Sequence, residues 1–187
     1  HVARVPVEVL YNQSKIFLIS AILILLFGIS LYFEPIQKLF QKKLFRSFFF
    51  LPIVSLSVGF ALRVYITGFA PVTNMYGTML WVSLGILLFS LFMLFAYKNF
   101  NVVASLWVAS GLVILLTESM PLILSPNMDP VVAVLRSNLW LTIHVLTIVI
   151  SYAAFTITMV LGNIVLIRNI FNYENTKENI KEYAKYI

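Results

Sequence analysis

Long apolar runs separated by short polar breaks set the rhythm of this chain. The runs cover about residues 15–33, 47–66, 76–97, 102–124 and 138–167. Each approaches or exceeds the roughly 20 residues that a helix needs to cross a bilayer. In hydrocarbon a backbone has to satisfy its own hydrogen bonds, which a helix does. The breaks carry Pro, Asn and Gly, as in Gly68 to Asn74 and Ser125 to Pro130, which is turn chemistry. The pattern predicts an all-α integral membrane protein, a bundle of about five transmembrane helices. Residues 1–14 read as an external lead-in, 15–170 as the bundle, and 171–187 as a cytoplasmic amphipathic or linker tail. No internal repeat or low-complexity tract interrupts this order.

Composition agrees with a membrane protein. The 187 residues are 61% hydrophobic and only 11% charged, with a mean hydropathy of +0.97, too little charge to cover a soluble domain. The absence of cysteine excludes disulfides, thiolate metal sites and thioether heme attachment on this chain. The net charge of +6 is spread over loops, and no basic patch interleaved with aromatics points to nucleic acid. Lys38, Lys42, Lys43 and Arg46 share one break, Lys98 lies in another, and Arg168, Lys177, Lys181 and Lys185 lie at the C-terminal end. The opposite breaks have no basic residue or only Arg136. Cytoplasmic loops concentrate Lys and Arg, so the N-terminus is expected outside and the C-terminus in the cytoplasm. The chain opens His-Val-Ala, without a signal-like start, and reads as a piece of a longer protein or a trimmed one.

Within this greasy sequence a few side chains stand out. His144 lies six residues beyond Asn138, on the order of 9 Å below the start of the fifth helix. Steps of three or four residues place Ser137, Trp140, His144, Thr147, Ser151, Ala154, Thr158 and Gly162 on one face. A stripe of small and hydroxyl residues is expected to face protein rather than lipid, which would turn His144 into a bundle or a cavity. There it is either a hydrogen-bonded structural histidine or a ligand. One histidine is too few for zinc but enough for one axial position on heme iron. Arg63 is the second anomaly. It shares a face with Pro52, Ser55 and Gly59, and either snorkels to lipid phosphate or offers a counter-charge to an anionic ligand. Between the second and third helices, Thr73 or Asn74 can cap the third helix and Pro71 stiffens its entry. Glu118, at a helix C-terminal end, is unfavourable with the helix dipole, which a partner would offset; it reads first as a solvated or interfacial acid. Hydrolase and kinase signatures are missing.

Two stretches carry a family likeness. Arg63 to Trp81, "RVYITGFAPVTNMYGTMLW", resembles the Arg…Gly…Pro-x-(Ser/Thr)-Asn-x-Tyr-Glu segment of membrane heme-handling proteins. Leu135 to Phe155, "LRSNLWLTIHVLTIVISYAAF", resembles their LQS-x-WL-x-x-HV…SYA helix. The family is the CcsA/ResC-type subunit of the System II cytochrome c synthase, often fused as CcsBA, and the likeness runs from about Arg4 to Gly162. It implies a multi-pass protein of the bacterial inner membrane. His144 would be an axial ligand to heme b on the external face, with Arg63 as a propionate partner and Trp140, Asn74 and Tyr76 at the cofactor. It also implies heme export and, as part of a holocytochrome c synthase, thioether attachment to the CxxCH motif of apocytochrome c. Two departures qualify this. Gly77 stands where the family has Glu, and the tryptophan-rich segment and the other ligand histidines are not in this chain. The chain therefore looks like the front part of the module, whose remaining segments or subunit would be partners along with membrane lipid. A non-heme multi-pass transporter and a structural membrane subunit are the alternatives.

Overall fold

The computed structural model describes residues 5–40, 47–68, 70–127 and 138–171, together with 181 and 184. Most of the expected tail, and the basic residues Lys42, Lys43, Arg46 and Arg136, lie outside the described residues. The described part is helical: α1 (Val5–Ser14), α2 (Ile16–Ser30), α3 (Glu34–Phe40), α4 (Leu51–Thr67), α5 (Met75–Tyr97), α6 (Phe100–Ser119) and α7 (Asn138–Phe171). Five stretches are long and apolar enough to cross a membrane: Val5–Ser30, Ser47–Thr67, Met75–Tyr97, Phe100–Ser119 and Thr142–Ile167.

Local chemistry explains where these helices begin and end. The first stretch is broken at Lys15, whose backbone is left-handed (φ 44°, ψ 44°), a conformation unfavourable to any residue with a Cβ. Residues 5–14, read from sequence as a lead-in, are thus a separate helical piece packed on α4. Gly68 (φ 73°) ends α4, its N–H bonded to the Val64 carbonyl at 2.8 Å. Asn74 and Asn99 cap α5 and α6 through their side-chain oxygens. The sequence carried the fourth helix to Leu124. It stops at Ser119 because Pro121 cannot continue a helix, and the Met120 carbonyl closes a turn with the N–H groups of Ile123 and Leu124.

In lipid, close contact and interhelical hydrogen bonds rather than water exclusion hold helices together. α2 and α6 show this most clearly. A Cβ on Gly28 would meet Trp107 Cβ at 2.9 Å and the Val108 nitrogen at 3.1 Å, so the two backbones pack at glycine distance. Trp107 is fully buried, and its indole N–H donates to Ser90 Oγ on α5 at 2.8 Å. Ser110 donates to the Ser83 carbonyl at 3.0 Å, tying α6 to α5 again. Ser20 and Ser55 join α2 to α4 at 2.8 Å. The main core gathers α1, α2, α4, α5 and α6 around these contacts.

α7 docks separately, mainly on α5. Its buried stripe is Val149, Ala153, Ile157 and Leu161, a four-residue step that lies along one face. Ala153 sits where a Cβ on Gly85 would fall, 2.7 Å from its own Cβ.

Gly28→Val is expected to destabilise the bundle by about 1–3 kcal/mol, because the methyls meet backbone that cannot move aside. Thermal unfolding of the detergent-solubilised protein should show a lowered midpoint; an unchanged midpoint would mean that α2 and α6 are not in glycine contact.

Candidate functional site

The polar residues of the bundle gather where α4 ends, α5 begins and α6 ends. Pro52, Gly59 and Arg63 are buried along the stripe that the sequence indicated, with Ser55 partly so. Arg63 therefore looks inward rather than snorkelling, and only 2% of its surface is exposed. Burial makes its donors costly to leave unpaired. They reach the backbone of the segment after α6: Nη1 donates to the Pro126 carbonyl at 3.3 Å and Nη2 to the Asn127 carbonyl at 3.1 Å. Carbonyl oxygens suit a guanidinium fork, which has donors only. Arg63 also lies near Tyr11 of α1, and stacks over the Tyr76 ring, 5.2 Å from its centre.

Asn74 grips the same segment from the other side. Its Oδ1 caps α5 by accepting from the Gly77 N–H at 2.9 Å. Its Nδ2 donates to the carbonyls of Ser125 at 3.0 Å and Asn127 at 2.7 Å. One side chain thus starts a helix and ties down a loop more than fifty residues later in the chain. The fit is tight: a Cβ on Gly77 would lie 2.9 Å from the Pro71 carbonyl oxygen. The glutamate that the family resemblance would place there has no room without a shift of that turn.

Tyr76 completes the cluster. Its ring is buried between Arg63 and Phe17, the latter at 6.2 Å edge to face. Its O–H donates to Glu118 Oε1. Glu118 thereby has a partner, where the sequence favoured a solvated or interfacial acid. Beside it opens a cavity of about 610 Å³ whose polar wall includes Glu8, Asn12, Lys15, Tyr76 and Glu118.

His144 and Trp140 lie elsewhere. Both are on the N-terminal part of α7, one turn apart, and both are exposed. The stripe expected to face protein, including Thr147, Ser151, Ala154 and Thr158, is exposed as well. α7 turns the opposite side, through Val149 and Ala153, to α5. The reason is steric: Ala153 fits against Gly85, whereas the hydroxyls on the other face close onto their own helix, Thr147 to the Ile143 carbonyl and Thr158 to the Ala154 carbonyl. Of the five residues singled out from sequence, Arg63, Asn74 and Tyr76 come together around residues 125–127. His144 and Trp140 form a separate pair on a face of α7 that no other described helix covers. Among the described residues no cluster of three or more His, Cys, Asp or Glu is placed to hold a metal ion.

With this geometry in place, likeness to known proteins can be weighed. Over 177 residues the chain is 32% identical to a curated protein, an alignment covering 88% of this chain. The chain is similar to protein NrfI of Wolinella succinogenes. It spans 18% of that protein's length. No family model matches the chain, and no solved structure does.

Sequence reasoning missed Tyr11 and the 125–127 segment as parts of the cluster. Tyr11 sits in a run taken for a lead-in, and a backbone carbonyl leaves no mark in a residue pattern.

Arg63→Leu removes the donors to the Pro126 and Asn127 carbonyls, leaving Asn74 alone on this segment, and is expected to cost about 1.5–3 kcal/mol. Arg63→Lys should recover only part, since an ammonium lacks the planar fork. Amide exchange near residues 125–127 reports the loss; equal protection in parent and both variants would rule out the clasp. Gly77→Glu is expected to lower the thermal midpoint, by about 1–3 kcal/mol of overpacking against Pro71.

Proposed function

We propose that this chain is part of a cytochrome c maturation protein of the bacterial inner membrane, and that His144 supplies one axial ligand to heme b at the external face. The observation that carries the reading is the pair Trp140 and His144 within "WLTIHV". An aromatic ring and an imidazole stand one turn apart on a face of α7 that no other described helix covers. The likeness to NrfI supports a role in cytochrome c maturation. The Lys and Arg bias supports an N-terminus outside and a C-terminus in the cytoplasm.

The residues fit heme in part. Neutral imidazole is a common iron ligand, and an exposed His144 presents its ring to whatever covers α7. Trp140 offers a flat apolar surface beside it. The second axial position would be filled from outside the described residues. When bound, heme would supply the vinyl groups that thiols of an apocytochrome CxxCH motif add to. This chain's residues orient and shield. α7 holds the imidazole at fixed height, and Arg63, Asn74 and Tyr76 fix the segment that leads towards α7. Arg63 as a propionate partner belongs to the same proposal, at the cost of its bonds to Pro126 and Asn127. Heme export and thioether attachment would require the tryptophan-rich segment and further histidines of a longer protein or second subunit.

The test is an absorption spectrum of the intact protein in detergent, reduced with dithionite, beside His144→Ala. The parent is expected to show a Soret band, the variant to lose most of it, and added imidazole to restore it. An unchanged spectrum at equal heme content returns His144 to a structural role.

A further inference from the structure

From the cavity beside Glu118 we infer a binding site for the ammonium-bearing headgroup of an aminophospholipid. The site is distinct from the α7 face and does not depend on the heme reading. A half-open cavity of about 610 Å³ lies where α1 meets α2 and where α5 and α6 come to the same end of the bundle. Its chemistry is two-sided. Glu118 is fixed by the buried Tyr76, which uses one donor on Oε1. A carboxylate accepts several hydrogen bonds, so acceptor capacity remains for a primary ammonium. Glu8, Asn12 and Ser119 add polar atoms on the same wall. Lys15, at the break between α1 and α2, also lines the cavity, as do the first residues of α2, a helix start that no side chain caps. An ammonium and uncapped N–H groups suit a phosphate. Carboxylates and a cation in one cavity of this size match a zwitterion rather than a simple ion.

The surroundings point to a lipid as its source. The segments that border the cavity carry exposed apolar side chains, Val9 and Leu10 on α1 and Leu122 and Ile123 in the turn after α6. A headgroup seated against Glu118 would leave acyl chains an apolar surface to lie on. A free zwitterion would gain nothing from those residues.

Native mass spectrometry of the full chain tests this, with phosphatidylethanolamine, phosphatidylcholine and phosphatidylglycerol of identical acyl chains. Phosphatidylcholine keeps the charge but has no N–H to donate, and phosphatidylglycerol has no cation. One phosphatidylethanolamine is expected to be retained about tenfold better than either, the factor given by one charge-assisted hydrogen bond. Glu118→Gln keeps an acceptor for Tyr76 and should abolish the preference, while Lys15→Gln should weaken all phosphate-bearing lipids together. Equal retention of the three lipids by the parent, or an undiminished preference in Glu118→Gln, overturns the site. Soluble O-phosphoethanolamine separates the sources. Displacement of the lipid only at large excess supports a lipid occupant, and displacement at concentrations equal to the lipid overturns it in favour of a free zwitterion.

Discussion

A guanidinium inside a membrane bundle has to find acceptors, and the architecture of one end of this chain follows from that requirement. Arg63 is almost wholly enclosed, and its fork carries donors only. Its donors pull the 125–127 backbone in over α4, its flat face rests on Tyr76, and Tyr76 in turn engages Glu118. An arginine and a glutamate are thus joined through an aromatic ring. Three helices and a loop are pinned by one charged side chain. A leucine in its place would pack, but it would leave the Pro126 carbonyl without its donor, Asn127 held by Asn74 alone, and Glu118 beside a less constrained tyrosine.

Below that cluster the bundle is held by different means. Glycine at position 28 lets α2 and α6 touch along their backbones, and buried serines and Trp107 stitch α4, α5 and α6 to them. These contacts are short, local and neutral, so they hold without burying charge. The division is functional in its effect. The apolar middle gives rigidity, while the charged end supplies both the clasp and a cavity with charges of both signs.

The five spans were legible in the chain because hydrocarbon thickness and backbone hydrogen bonding leave a membrane helix little choice of length. The line of Pro52, Gly59 and Arg63 was legible, though it left snorkelling and an inward turn equally open, and the cap was narrowed to Thr73 or Asn74. The union of Tyr76 with Glu118 was not legible, since forty-two residues separate them and nothing local marks them as neighbours. Lys15 escaped notice for another reason. A left-handed backbone at a lysine is imposed by packing on either side, not by the residue. α7 offered two opposite stripes, one apolar and stepped by four, the other small and hydroxylated. Periodicity finds both but cannot say which a neighbour will take. Gly85 decided it by making room for Ala153.

The seating of α7 mainly on α5, with a lesser contact to α6, makes it mechanically unlike the other spans. Its contact with α5 centres near Ala153, and His144 stands nine residues away, about 14 Å along the axis. The helix is held from about Val145 to Val165, so only the turn that bears Trp140 and His144 projects past that seam. Whatever lies against the side of α7 that no other described helix covers therefore meets this ring where the seam ends.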